Sequence, residues 1–200
     1  MVETHPATLD RFDDLRAVLA PKQGSAQACW CLTYRLSNAE NSVLSGEARP
    51  MRLRKMCEQD CAPGVLAYVD GVPAGWCAVG PRTDFERLMR SKTIQFLDGL
   101  PVWSIVCLVV RAGYRRQGVS RALVEGAVAY AASQGADMIE AYPIETNGER
   151  VSAALAFTGT TGLFTRAGFA HCAETQAKSA GKVRVIMRRQ VGESAASQLG

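Results

Sequence analysis

The stretch VWSIVCLVVRAGYRRQGVSRALVEGAVAYAASQGADMIEAY, Val102 to Tyr142, decides the fold. It opens with nine almost wholly apolar residues, several of them β-branched. That predicts a strand over Val102–Val110 covered on both faces. Val119, Ala122, Leu123, Gly126, Ala127 and Tyr130 then recur at helical spacing, and Gly135 suits the left-handed residue that ends a helix. Asp137–Tyr142 reads as a second strand, stopped by Pro143. Strand, helix, strand at this length is a βαβ unit, with parallel strands and a right-handed crossover.

Between the first strand and the helix lies YRRQGVSRAL, Tyr114 to Leu123, with three arginines around one glycine. Gly118 admits a backbone conformation that other residues resist. The amides after it belong to a first helical turn, so they lack intrahelical acceptors and meet the positive end of the helix dipole. Arg115, Arg116 and Arg121 add full charges. A phosphate or pyrophosphate fits such a cradle. The segment has no G-x-x-x-x-G-K-[ST], which excludes a P-loop, and no G-x-G-x-x-G, which excludes the dinucleotide fingerprint.

Upstream, VLAYVDGVPAGWCAVG (Val65–Gly80) is a hairpin whose Asp70-Gly71 pair suits a type I′ turn. Leu9, Phe12, Leu15, Val18 and Leu19 place a helix over Thr8–Ala20. Ser37–Pro50 reads as a polar loop. Pro50 then opens a helix with Leu53, Met56 and Cys57 inward, ended by Pro63-Gly64. A short helix is expected over Asp84–Arg90. Downstream, Leu155–Ala167 is a short helix. Gly168–Glu174 and Lys182–Arg189 pair as antiparallel strands about a turn near Ser179–Gly181. Gln190–Gly200 is a small, polar, frayed tail.

Two hundred residues, 48% of them hydrophobic and 21% charged, fit one globular domain. Twenty-three basic against nineteen acidic residues leave a net charge of +4, with no basic run. No nucleic-acid partner is expected. The N-terminus MVETHPATLDRFDD lacks a basic-then-apolar pattern, and the longest apolar run is too short to span a bilayer. A cytoplasmic protein without a membrane partner is expected. Seven cysteines in such a chain are reduced thiols by default. Cys29/Cys31 and Cys57/Cys61 raise the alternative of a structural zinc. Both pairs fall in stretches read as helical, which suits zinc ligation poorly, so no metal is expected.

Arg115-Arg116-Gln117-Gly118-Val119-Ser120 resembles the [RQ]-x-x-G-x-[GA] motif of the GNAT superfamily of acetyltransferases, with Ser120 where the family has Gly or Ala. The hairpin VDGVPAGW resembles the family's second and third strands, and GLFTRAGF (Gly162–Phe169) its late helix and terminal Gly-Phe. The resemblance runs from about Val65 to Arg189. It implies an α/β (α+β) fold, a mixed and mostly antiparallel sheet with a central parallel βαβ unit and flanking helices. It also implies one acyltransferase domain over residues 1–190. Within it, residues 1–62 form a variable helical acceptor side and 65–189 the core, with 191–200 as tail.

The resemblance further implies acetyl-CoA as co-substrate. Amides of Gln117, Gly118, Val119, Ser120 and Arg121 would hold the pyrophosphate beside Arg115 and Arg116. The backbone of Leu108, Val109 and Val110 would pair with the pantetheine arm, and one of those amides would polarise the thioester carbonyl. The acceptor is a primary amine of a small molecule or peptide, which must lose a proton before direct attack in a ternary complex. By strand alternation Met138, Glu140 and Tyr142 share a face. Glu140 is the candidate base and Glu145 the second. Many family members carry, four residues before the Gly-Phe glycine, a tyrosine that protonates the leaving thiolate. Here Phe164 holds that position beside the cofactor, so Tyr142, Tyr130 or water would serve. Ser120 and Phe164 also suit an alternative, a catalytically weak CoA-binding sensor or interaction module. Acceptor specificity is expected in Cys29–Cys61, in Asp84–Gly99 and in the loop after Tyr142. Trp103 is a candidate for the acceptor pocket wall. Edge strands near the C-terminus allow a homodimer.

Overall fold

In the computed structural model of the chain, which describes residues 1–21, 25–26, 28–146, 148–149, 157–179 and 181–191, the described strands form one sheet. These are β1 (Val2–Pro6), β2 (Gly64–Val69), β3 (Val72–Pro81), β4 (Trp103–Val110), β5 (Met138–Ala141), β6 (Ala170–Ser179) and β7 (Lys182–Gln190). Their order is β1-β2-β3-β4-β5-β7-β6. Only β4 and β5 run parallel, and helix α5 (Val119–Ser133) connects them. The βαβ unit read from the sequence is therefore the centre of a mostly antiparallel sheet. Asp70 and Gly71 both have positive φ, 49° and 79°, as a type I′ turn requires.

Both sheet faces are covered. On one side α5 lays Val119, Leu123, Ala127 and Ala131 over the sheet, joined by Phe164 of helix α6 (Thr161–Arg166). On the other side Phe12 and Leu15 of α1 (Phe12–Leu19) and Leu53 of α3 (Ala48–Cys57) pack with Leu66, Trp76 and Val106. β4 faces both clusters, which is why its sequence shows no polar alternation.

Several elements differ from the sequence reading. β1 lies in an N-terminus read as polar, and Val2–Pro6 pairs with Val69–Val65. An edge strand buries little, so VETHP carries no apolar alternation. The stretch read as a loop holds α2 (Asn38–Val43), opened by a capping box. There the Ser37 hydroxyl accepts from the Glu40 amide at 3.2 Å, and the Glu40 carboxylate accepts from the Ser37 amide at 3.0 Å. No residue of α2 is buried, so periodicity could not reveal it. α3 begins at Ala48, two residues ahead of Pro50, and ends at Cys57 well before Pro63. Proline within a first turn forfeits no intrahelical bond.

The Cys29-Trp30-Cys31 segment is a turn rather than a helix, with φ 49° at Trp30 and 52° at Cys31. The helix Asp84–Arg90 is a 3-10 turn, Arg82–Asp84, followed by α4 (Glu86–Met89). α6 starts at Thr161, where the Thr160 hydroxyl caps the Leu163 amide. Of the helix read over Leu155–Ala167, Phe157–Thr160 are turn and bridge rather than helix, and Leu155 and Ala156 lie outside the described residues, as do residues 192–200 of the tail.

One irregularity positions the site. Ala78 pairs with Cys107 but Val79 with Ile105, so Val106 is an extra residue on β4. Such a bulge bends the strand. β4 pairs with β5 only over Trp103–Ile105, opposite Ile139–Ala141. Beyond the bulge its outer edge is free of β5.

Candidate active site

The cradle forms where β4 hands over to α5. Gly118 is the N-cap in the left-handed conformation, φ 80° and ψ −3°, and Arg116 has φ 62°. The turn opens with Ala122 N–H donating to the Gly118 carbonyl at 3.0 Å, so the amides of Val119, Ser120 and Arg121 precede the helical ladder. The first turn carries no acidic residue. A Cβ on Gly118 would meet nothing within 4 Å, so glycine is required there by φ and the space in front is open. Arg115, Arg116 and Arg121 are exposed, and none joins an ion pair among the described residues. Beneath them Val119 is buried against β3. A Cβ on Gly75 would lie 2.9 Å from Val119 Cγ1 and 2.9 Å from the Val109 carbonyl, so glycine there lets the cradle seat on the sheet.

The free edge of β4 leads from the cradle into a cleft. Leu108 N–H donates to the Phe157 carbonyl at 2.6 Å, which shows that this amide points away from β3. By strand alternation the Val110 amide shares that direction, and the Val109 amide turns toward β3. The Val109 side chain instead lines the cleft, beside Cys107. Of the three backbone donors read from the sequence, two therefore point away from β3, and one of them, Leu108, is taken by the Phe157 carbonyl.

The cleft has a volume of ≈ 1260 Å³ and lies on the α1 and α3 side of the sheet. Trp30 and Tyr34 wall it from the N-terminal region, Arg87 from α4 and Lys178 from β6. At its floor Arg184 donates from Nε to the Tyr142 carbonyl at 2.9 Å and from Nη1 to the Tyr34 hydroxyl at 2.6 Å. Cys31 Sγ lies 3.1 Å from Cys107 Sγ. That contact with Cys107, and then burial, push the Cys31 thiol well above its ordinary range. Cys31 is therefore a protonated thiol at neutral pH. Tyr34 and Arg184 are cleft residues the sequence did not reveal, since no local motif marks them.

The two catalytic candidates read from β5 do not reach this cleft. Glu140 and Tyr142 do share a face, and the Tyr142 hydroxyl donates to Glu140 at 2.5 Å. But both are fully buried. Arg82 bonds Glu140 Oε1, and Arg188 Nε donates to Oε2 at 2.7 Å. The Tyr142 hydroxyl also accepts from Arg82 at 3.0 Å and contacts Ser104 at 2.9 Å. Burial first, then the Glu140 charge, hold the Tyr142 phenol well above its usual range. This is an internal polar cluster, and strand alternation could give the face but not its covering. Glu145 accepts from the Thr161 hydroxyl at 3.1 Å. Phe164 is fully buried, edge-on to Phe169 with ring centroids 5.0 Å apart. Tyr130 is a buried residue of α5, its hydroxyl donating to the Ala62 carbonyl at 3.3 Å. Trp103 lines a separate cavity of ≈ 430 Å³ with Arg82 and Phe96.

Among the described residues no group of three or more His, Cys, Asp or Glu stands together as a metal would need. No helix among them is long and apolar enough to cross a membrane.

The profile of the Acetyltransferase (GNAT) family matches residues 30–157. No curated protein matches in sequence. Among solved structures, an acetyltransferase of the GNAT family from Streptococcus pneumoniae is similar with a TM-score of 0.54 at 16% identity, over 96% of this chain and 100% of that one. A histone acetyltransferase HPA2 and related acetyltransferase from Corynebacterium glutamicum gives 0.56 at 18%, over 97% and 98%. The NatC complex bound to Gag peptide and CoA gives 0.54 at 14%, over 94% and 98%. At these identities the likeness is one of fold: a mixed, mostly antiparallel sheet with one parallel pair and flanking helices.

Proposed function

The chain belongs to the GNAT acetyltransferase family, and we propose that it moves an acetyl group from acetyl-CoA to a primary amine of a small molecule or peptide by direct attack in a ternary complex. The observation that carries this reading is the left-handed Gly118 at the head of α5, joined to a β4 edge that the Val106 bulge frees from β5.

The residues present suit acetyl-CoA. The cradle offers unpaired amides, open space and three free guanidiniums to a pyrophosphate. Amides from Gln117 to Arg121 would hold it, with Arg115 and Arg116 alongside. The Val110 amide would pair with the pantetheine arm. Leu108 N–H points the same way but is held by the chain's own Phe157 carbonyl at 2.6 Å, so it would serve the acyl oxygen once that carbonyl moves aside. Bound there, acetyl-CoA supplies a thioester carbon open to a neutral amine, with a thiolate as leaving group.

The proton steps fall to groups of the cleft rather than to β5. Tyr34 is the phenol on its wall, and we assign it the donor role that Phe164 cannot fill. Glu86 is the carboxylate of the lining, held by Arg90 at 2.8 Å, and a water relay toward it would take the ammonium proton.

Calorimetric titration of acetyl-CoA into wild type and Gly118→Glu tests the reading, with circular dichroism as the folding control. Glutamate adds bulk, charge and a strained φ where the pyrophosphate belongs. The folded variant should bind at least about tenfold more weakly, and wild type should release free CoA thiol with an amine acceptor. A folded wild type that takes up no acetyl-CoA ends the proposal. Binding without thiol release across an amine panel would leave a CoA-binding module instead.

A further inference from the structure

We propose that the acceptor amine also carries an oxyanion, a carboxylate or phosphate, held by Arg184 at the cleft floor with Arg87 and Lys178 above it. The inference rests on the acetyltransferase reading and names its substrate class.

Arg184 is the observation behind it. Its residue is 5% exposed, yet no carboxylate lies within 4.0 Å of its guanidinium among the described residues. Its neutral partners take Nε and Nη1, and Nη2 has none among the described residues. A buried cation without a counter-charge is costly, and a buried donor without an acceptor adds to that cost. The chain's other buried arginines differ in charge balance or place, although Arg82 Nε and Nη2 and Arg49 Nε also lack hydrogen-bond partners among the described residues. Arg82 has Glu140, and Arg35 has Asp84 at 3.8 Å. Arg49 lacks a carboxylate but donates to Leu44 and Asn41 carbonyls, the Cys29 carbonyl and the Asn41 side chain. Among the described residues only Arg184 combines an uncompensated charge, a free donor and a place on the cleft wall.

The rest of the lining has the same sign. Arg87 and Lys178 line the cleft without an ion pair among the described residues, and the one carboxylate of the lining, Glu86, is taken by Arg90. The bridge from Arg184 to Tyr34 fixes the guanidinium plane at the floor. An anion seated there would complete the Nη2 bond and neutralise the wall. The acceptor's amine would then be left toward Cys107 and Val109, on the β4 edge where the thioester belongs. A planar guanidinium recognises carboxylates and phosphates alike.

The test uses matched acceptors. α-Amino acids are compared with their carboxamides, and aminoethyl phosphate with ethanolamine. Each is scored by CoA thiol release with acetyl-CoA, and by calorimetric titration into protein saturated with CoA. One anionic series should exceed its neutral partners by about tenfold or more in both readouts, and the winning series identifies the oxyanion. Arg184→Met should erase that preference. Should that variant misfold, Arg87→Gln with Lys178→Met, both exposed, should reduce it. Neutral amines that bind as well as the anionic ones overturn the inference while acetyl-CoA binding stands. So does the binding of neither series to the CoA complex. If acetyl-CoA itself fails to bind, the acetyltransferase reading falls first and this one with it.

Discussion

Glu140 illustrates how one side chain's role is set by what surrounds it. Its two oxygens are each held by a guanidinium, Arg82 on one and Arg188 on the other, with no exposed surface. Arg188 also binds Asp98 at 2.6 Å, so the carboxylate anchors a network that ties β5 and β7 to the segment before β4. Removing its charge would leave the buried Arg82 without a carboxylate, while Arg188 would keep Asp98. Glu140→Gln should lower unfolding stability by about 3–5 kcal/mol, read from urea denaturation. Any folded fraction should keep its affinity for acetyl-CoA and the shape of its pH–rate profile. A catalytic base would behave in the opposite way, losing a limb of that profile with stability little changed. At this scale the sequence was informative about Gly118, where a local backbone demand decides the residue. It was uninformative about Arg184, whose partners Tyr34 and Tyr142 come from elsewhere in the chain.

At the scale of elements, α5 is tied to the sheet by small residues. A Cβ on Gly126 would fall 2.5 Å from Thr4 Oγ1 and 2.7 Å from Thr4 Cβ, so the helix presses directly on β1. Alanine would raise helix propensity by roughly 1 kcal/mol, yet the overlap with a strand should outweigh that gain. Gly126→Ala is expected to destabilise by about 1–3 kcal/mol, and the amides of β1 should lose hydrogen-exchange protection before those of β4. A stabilised variant would mean that β1 can move away from α5 freely. The elements that sequence periodicity located, the β2–β3 hairpin, β4, α5 and β5, all bury one or both faces. Those it passed over, β1 and α2, bury little and are held by strand pairing or a capping box. The bulge at Val106 left no trace because an extra residue in an all-apolar strand changes no pattern.

Across the whole molecule, three buried tyrosines link the packing to pH. Burial is the first cause that raises the phenols of Tyr68, Tyr130 and Tyr142, reinforced by Asp14, Cys61 and Glu140 respectively. In the unfolded chain each would ionise near its ordinary value of about 10. The folded state thus keeps protons that the unfolded state gives up. This stability is fully present below pH of about 10 and is lost as pH rises from there toward the folded values. Urea midpoints should fall steeply above pH of about 10, and a flat profile there would show that these hydroxyls are not buried in solution.

The sequence by itself determined the βαβ unit, the hairpin turn, the left-handed Gly118 turn at the head of α5 and the family resemblance. Each depends on residues within a few positions of one another, through periodicity, turn chemistry or a required φ. The tertiary structure alone decided which side chains meet. Strand register placed Glu140 between arginines 58 and 48 residues away, and β7 brought Arg184 against Tyr34 across 150 residues. Such contacts depend on the order of strands and the bend of β4, and these arise only when the sheet closes on its two cores.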